Sequence, residues 1–186
     1  MIVTIHGQEG SGKSTTAKML ARRLGFRHYS IGEIRREIAR RHGLTLPQLN
    51  KIGEKEDWTD KEADRFLEKL GKKGGNLVID CRLGFHFIPN SFKVYLCARL
   101  KVRVERIFRE RRKSERFGSI REAEKSIVRR ARSDRLRYKK YYNIDITDMR
   151  HYDLVIDTTH LSKREVVERI LEALRKRQMN PENPKF

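Results

Sequence analysis

The sequence has few of the features that mark disulfide-rich, metal-binding or membrane-spanning proteins. Only two of its 186 residues are cysteines, Cys81 and Cys97, and neither has the paired spacing of a metal or redox site. The six histidines are scattered without ligand spacing, so they predict no metal centre. No apolar run approaches the roughly 18 residues of a membrane-spanning helix, and no charged-then-apolar leader precedes the first strand pattern. We therefore expect buried free thiols and a soluble, cytoplasmic protein without membrane contact.

Acidic residues are also scarce relative to basic ones. Lysine and arginine number 44 against 25 aspartate and glutamate residues, which gives a formal net charge of +19. The segment 99–140 holds 13 arginines, 5 lysines and only 6 acidic residues, so it carries +12 of that charge. A field of this size attracts nucleotides, nucleic acids and acidic surfaces alike, and charge alone does not choose among them.

Short apolar runs alternate with helical patterns over most of the chain. Buried parallel strands fit five of these runs, at 2–7, 26–30, 76–81, 91–97 and 152–158. Apolar residues at helical spacing follow the first, second and last runs and recur within 43–75. The alternation predicts one α/β domain, with a parallel β-sheet flanked by helices. The basic segment has few apolar positions after Phe117, so we expect a mobile, solvent-facing element there rather than a deeply buried helix.

A glycine-rich loop lies between the first strand pattern and the helix pattern after it. It fits G-x-x-x-x-G-K-[ST] with Gly7, Gln8, Glu9, Gly10, Ser11, Gly12, Lys13 and Ser14, followed by Thr15. Glycines let the backbone turn its N–H groups toward a phosphate, and the helix that begins there presents its positive dipole end to the same anion. Lys13 can reach the β- and γ-phosphates of ATP, and the Ser14 hydroxyl can bind Mg²⁺. The loop therefore predicts a P-loop NTPase-type fold that uses ATP and Mg²⁺.

Asp80 ends the third strand pattern, at the edge of a parallel sheet where ligands gather. A carboxylate at this place can hold the metal through water, as Walker B acids do. The alternative is a polar residue that merely ends a strand. The loop upstream favours the metal site.

The order of these motifs resembles that of the short, archaeal-type cytidylate kinases, a branch of the P-loop nucleoside monophosphate kinases. The motifs are GQEGSGKS at 7–14, SIGEIRR at 30–36, DCR at 80–82, RARSDRLRY at 130–138 and YNIDITDMRHYDLVIDT at 142–158. The first motif is shared by all P-loop kinases, whereas the last two are more specific to this branch. The resemblance spans about 160 residues.

The resemblance implies a single P-loop kinase domain over 1–178 with three parts. Its core would comprise 1–31, 76–105 and 138–178, with a helical NMP-binding insert at 32–75 and a mobile helical lid at 106–137. The remaining residues, 179–186, include two prolines and are expected to form a flexible tail.

The resemblance also implies roles for individual residues. Acceptor contacts would come from Ser30, Arg36, Arg65 and Arg82, and catalysis from Lys13, Arg130 and Arg137. The last two arginines lie seven residues apart, so on a helix both point the same way, toward the phosphates being exchanged. Arginine suits this task because its planar guanidinium matches phosphate and keeps its charge. Arg106 and Arg109 are weaker candidates for ATP contacts; for them, as for Arg111 and Arg112, a solvated helix face is an equal alternative.

CMP is the first choice of acceptor, with dCMP beside it, but three positions leave UMP or another monophosphate open. Ile31 and Cys81 depart from the residues usual in relatives, and Leu83 stands where longer bacterial cytidylate kinases carry an aspartate. The lid is also about five residues longer than usual, around 113–118. Other acceptors, such as a sugar or shikimate, remain alternatives within the kinase class.

An RNA-associated ATPase with an adenylate kinase-like fold is the alternative from another class. The charge of +19 is its motivation, since it would give salt-dependent binding to nucleic acid. We favour a nucleic-acid partner less, because the basic residues concentrate where a kinase lid needs them and few stacking aromatics accompany them. The sequence does not determine the oligomeric state.

Overall fold

The computed structural model describes residues 1–109 and 117–179. The sequence predictions for Arg111 and Arg112, for most of the longer lid at 113–118, and for nearly all of the tail lie outside these residues.

Five parallel strands form one sheet with the order β2-β3-β1-β4-β5. The strands are β1 (Ile2–Gly7), β2 (Arg27–Ser30), β3 (Leu77–Asp80), β4 (Phe92–Cys97) and β5 (Leu154–Asp157). The predicted α/β fold with a parallel sheet is confirmed. The residues that follow the carboxyl ends of β1 and β3 lie close together, because these two strands are neighbours in the sheet.

Eight α-helices and one 3-10 turn connect the strands of the described chain. The helices are α1 (Lys13–Leu24), α2 (Ile31–Arg41), α3 (Leu46–Gly53), α4 (Trp58–Lys73), α5 (Gly84–Phe87), α6 (Leu100–Arg109), α7 (Ile120–Tyr142) and α8 (Lys163–Met179); the 3-10 turn spans Met149–His151. One apolar cluster joins the sheet to α1 and α8, and a second joins α2, α3 and α4 to β3. None of the helices in 1–109 or 117–179 is long and apolar enough to cross a membrane.

The basic segment faces solvent along most of its second part, as its sparse apolar residues predict, but one polar face of that part is buried. Its second part forms α7, a helix of 23 residues whose buried positions include Ser133, Asp134, Arg137 and Tyr138. Arg137 is 1% exposed and is among the largest fully buried side chains of the described chain. Apolar periodicity misses such a face because ion pairs, rather than hydrocarbon contacts, allow these side chains to be buried.

Candidate active site

The loop after β1 passes so close to β4 and α6 that two of its positions have no room for a side chain. A Cβ on Gly7 would lie 2.2 Å from the Leu96 carbonyl oxygen. A Cβ on Gly10 would lie 2.6 Å from the Arg103 carbonyl oxygen, and Gly10 also has a φ of +82°, which favours glycine. The glycines therefore fix the path of the loop.

Hydrogen bonds with β4 and with the segments after β4 and β5 hold the loop in place. The Gln8 amide donates to the Leu96 carbonyl at 2.9 Å, while Gln8 Oε1 accepts from the Ala98 amide at 3.1 Å. Thr158, just after β5, donates its hydroxyl to the Ser11 carbonyl at 2.9 Å. At the front, Gly12 precedes α1 without a side-chain cap, which leaves the first amides of α1 for an anion.

Lys13 is held next to two other cationic side chains. Its pKa is lowered to about 8, chiefly by burial and then by Arg82, against the opposing effect of Asp80 and Glu9. A phosphate bound here would stabilise the charged ammonium group, which makes the site receptive to anions.

Ser14 and Asp80 form a pair of oxygen ligands at the mouth of the loop. The Ser14 hydroxyl donates to Asp80 Oδ2 at 2.5 Å, and Asp80 is only 4% exposed. Magnesium prefers oxygen ligands and completes its shell with water and substrate phosphates, so this donor set fits it. Among the described residues, there is no group of three or more His, Cys, Asp or Glu side chains that could hold a metal ion by itself, so water and substrate phosphates would have to complete the shell here.

A cavity of about 390 Å³ opens in front of the loop, between α2, α3, α4 and α7. The predicted site residues that line it are Glu9, Gly10, Lys13, Ser14, Thr15, Ser30, Arg36, Asp80, Arg82 and Arg130. Arg130 donates to Glu9 Oε1, which ties α7 to the loop. The sequence motifs thus meet in one place, although they are up to 121 residues apart.

A second cavity of about 530 Å³ lies on the other side of the same loop, against α6 and the start of α8. Arg106 and Arg109 line it, together with Gly10–Thr16 and residues 161–163. Arg106 Nη2 donates to the Thr158 carbonyl at 2.7 Å, so its side chain is held against the loop's support.

Four of the predicted site residues line neither cavity: Gly7 and Gln8 at the start of the loop, and the arginines Arg65 and Arg137. Arg65 is exposed on α4. Arg137 lies behind the wall of the first cavity, where it donates to Asp60 and Asp134. Arg137 does lie on the same helix face as Arg130, but seven residues take it about 10 Å along the axis and into the protein. The predicted contacts of Arg65 with the acceptor and of Arg137 with the phosphates stay predictions.

The sequence analysis missed the acidic and amide groups that position these arginines. Asp134 Oδ2 lies 2.8 Å from Arg82 Nε, in an ion pair without hydrogen-bond alignment. Although burial opposes it, the pKa of Asp134 is lowered, because Arg82 and Arg137 stabilise its charge. Arg82 is in turn kept charged beside the cavity.

Arg35, Asn50, Asp60 and Asp64 are the other polar residues missed. Arg35 Nη2 donates to Asn50 Oδ1 at 2.9 Å, and its Nη1 donates to Asp60 Oδ1 at 2.5 Å. The signal was present in α4, where Asp60 and Asp64 lie four residues apart on the side that Leu67 buries. Acids on the apolar face of a helix indicate buried partners.

Comparisons with known proteins show the family of the chain. A sequence model of the cytidylate kinase-like family matches residues 2–160. The cytidylate kinase of Natronomonas pharaonis is 40% identical over 178 residues, which cover 93% of this chain and 90% of that protein. That of Aeropyrum pernix is 39% identical over 176 residues, with 93% and 98% covered.

Solved structures with lower identity share the fold alone. Shikimate kinase from Aquifex aeolicus matches with a TM-score of 0.60 and 22% identity, over 96% of this chain and 98% of that one. A protein from Eubacterium ventriosum, described as uncharacterized, matches with a TM-score of 0.70 and 18% identity, over 95% and 99%. The family model and the archaeal relatives go further than the fold, and the chain belongs to the cytidylate kinase-like family.

Proposed function

We propose that this protein transfers the γ-phosphoryl group of ATP to the phosphate of CMP, with dCMP as a further acceptor, giving ADP and the nucleoside diphosphate. The observation that carries the proposal is the position of the phosphate loop between two cavities. Gly10, Lys13, Ser14 and Thr15 line both of them. A loop shared in this way can present a donor phosphate from one side to an acceptor from the other.

The cavity beside α6 and α8 would take ATP. Its triphosphate would lie on Gly7–Thr15, with the first amides of α1 and the Lys13 ammonium as donors. Ser14 and Asp80 would hold Mg²⁺, which neutralises charge on the β- and γ-phosphates. Arg106 and Arg109 would contact the nucleotide from α6.

The cavity between α2, α3, α4 and α7 would take the monophosphate. Arg36, in the proposed NMP-binding insert 32–75, and Arg82, after β3, would hold its phosphate, with Ser30 beside them at the N-cap of α2. A phosphomonoester has its second pKa near about 6, so the attacking oxygen is mostly deprotonated at neutral pH without a general base. Catalysis then consists of positioning the two phosphates and stabilising the charge spread over the transferred group.

ADP formation from ATP and Mg²⁺ in the presence of different acceptors tests the proposal. We expect turnover with CMP and dCMP to exceed turnover with UMP, AMP, GMP and shikimate. An RNA-only reaction serves as the control for acceptor-independent hydrolysis. Hydrolysis stimulated by RNA, without transfer to any monophosphate, would contradict the proposal.

Arg130 is expected to act on the transition state more than on bound ATP. Its guanidinium is held at the loop by Glu9, where the transferred phosphoryl group would pass. Arg130→Ala should lower kcat roughly 10²-fold and weaken ATP binding by a much smaller factor. Arg129→Ala is the matched control, because Arg129 is the adjacent residue and is exposed. Equal turnover in the two variants would remove Arg130 from the mechanism.

A further inference from the structure

The proposed acceptor cavity has apolar side chains in its wall as well as the charged groups beside the phosphate loop. Leu46 and Leu67 line it from α3 and α4, Leu83 from the segment after β3, and Tyr138 from α7. Asp64 is the carboxylate that α4 contributes to the same cavity. Apolar walls with specific polar groups among them are typical of a site for a flat organic ring.

Asp64 has one oxygen engaged by the protein. Tyr142 donates its hydroxyl to Asp64 Oδ2 at 2.5 Å, and Tyr142 itself packs in a cluster with Leu83 and Tyr138. Over 1–109 and 117–179, the side chain of Asp64 accepts no other hydrogen bond, although Asp64 is only 8% exposed. Its second oxygen, Oδ1, is therefore left for a ligand in the cavity.

The groups around Asp64 shift its pKa toward neutral pH, so its charge depends on the pH of the experiment. Its pKa is raised to about 7, chiefly by burial and also by Asp60, one turn earlier on α4. The Tyr142 hydrogen bond lowers it, as do Arg35 from α2 and Arg137 from α7. Cys81, after β3, and Tyr138, on α7, are further titratable groups of the same cavity, and burial raises the pKa of both so that they stay neutral.

We infer that Asp64 Oδ1 forms a hydrogen bond with the group at the 4-position of the acceptor's pyrimidine ring and thereby selects the base. An ionised carboxylate accepts a hydrogen bond from the exocyclic amino group of cytosine, whereas it repels the carbonyl oxygen that uracil carries at the same position. This inference rests on the proposed function and names the residue that makes it selective. No phosphate competes for this position, because a carboxylate repels an anion.

The selectivity has a definite pH dependence. Below about pH 7 a protonated Asp64 can donate to the uracil oxygen, so the preference for CMP over UMP shrinks. Above that pH the carboxylate is ionised and the preference is fully developed. The ratio of kcat/KM for CMP to that for UMP is the right quantity, because the phosphate ionisation and the ATP site affect both acceptors equally.

Asp64→Asn is the first variant. The amide keeps the shape and can accept from Tyr142, but it presents either a donor or an acceptor to the base. We expect the CMP-to-UMP ratio to fall roughly 10- to 100-fold, which is the worth of a hydrogen bond to a charged group. The ratio should also lose its pH dependence between pH 6 and 8.5. Glu68→Gln is the matched control, since Glu68 lies on the same helix and pairs with Lys72 at the surface.

Tyr142→Phe is the second variant, and it keeps the test open if Asp64→Asn does not fold. Removing the hydroxyl raises the pKa of Asp64, so the pH at which the ratio is half developed should move upward. Selectivity lost at pH 7 should return at pH 8.5. An unchanged pH midpoint would overturn the inference.

Two further outcomes separate this inference from the proposed function. Equal losses of kcat/KM with CMP and UMP in Asp64→Asn would indicate that Asp64 contacts the ribose and would contradict its proposed hydrogen bond to the base. Calorimetric binding of CMP and UMP to the wild-type protein gives a readout without turnover. A pH-dependent preference for CMP in binding, with no phosphoryl transfer, would contradict the proposed reaction and support Asp64 as the selective group. Equal binding of CMP and UMP at every pH would contradict the inference about Asp64.

Discussion

Lys13→Ala is expected to remove nearly all phosphoryl transfer while leaving the fold intact. The ammonium group lies on the loop shared by both cavities, where it would stabilise charge on the transferred group. Losing one such donor from a preorganised site lowers kcat by roughly 10²–10³-fold. Coupled measurement of ADP formation with CMP gives the rate, and Lys69→Ala on the exposed face of α4 is the control.

The same variant has an unusual expected effect on stability. The pKa of Lys13 is lowered from 10.5 to about 8, chiefly by burial and then by Arg82, so at pH 7 the folded state holds this charge unfavourably. A lysine whose pKa is lowered by folding destabilises the protein below that pKa, and this effect fades as the pH rises through 8 toward 10.5. Lys13→Ala should therefore unfold at the same temperature or higher at pH 7. A lower unfolding temperature together with lost activity would mean that Lys13 supports the structure instead.

The parts of the molecule that the sequence predicts well are those set by local pattern. The strand β1, the loop and α1 follow one another within 24 residues, and glycine spacing, a β-branched run and helical periodicity identify each of them. The predicted bounds of β1 match the observed ones, and the other four predicted strands exceed the observed ones by a residue or two at their ends. Some of these flanking residues still donate to the neighbouring strand, as the Cys81 amide does to the Ile5 carbonyl at 3.1 Å.

The buried face of α7 could not be read from local pattern, because its partners come from remote segments. Asp60 and Arg137 are 77 residues apart, and neither is apolar. Their burial depends on one another, so each looks like a surface residue when read alone. The same holds for Asp64 and Tyr142, which are 78 residues apart. Motif spacing found the residues that would touch phosphate and missed those that fix their positions.

Asp60 is the carboxylate that two buried arginines share, and together they form a buried network of ion pairs. It is 1% exposed and accepts hydrogen bonds from Arg35 on α2 and Arg137 on α7. The network thereby joins the proposed insert to the helix that carries Arg130. A buried ion pair adds little stability compared with apolar packing, but removing one partner leaves the other charge without compensation.

Asp60→Asn is accordingly expected to lower the free energy of unfolding by about 3–5 kcal/mol, since two buried guanidinium groups lose their shared counter-charge. Urea is the denaturant to use, because guanidinium chloride would screen the charges that the experiment addresses. Asp57→Asn is the matched control at the N-cap of the same helix, where the Asp57 side chain makes no capping hydrogen bond; its exposed pair with Lys61 should contribute less than about 1 kcal/mol. Adding Arg137→Met to Asp60→Asn should recover part of the loss, because it removes one stranded charge and fills the space with an apolar side chain. Equal effects of Asp60→Asn and Asp57→Asn would mean that water reaches the network and that Asp60 does not hold α7 against α4.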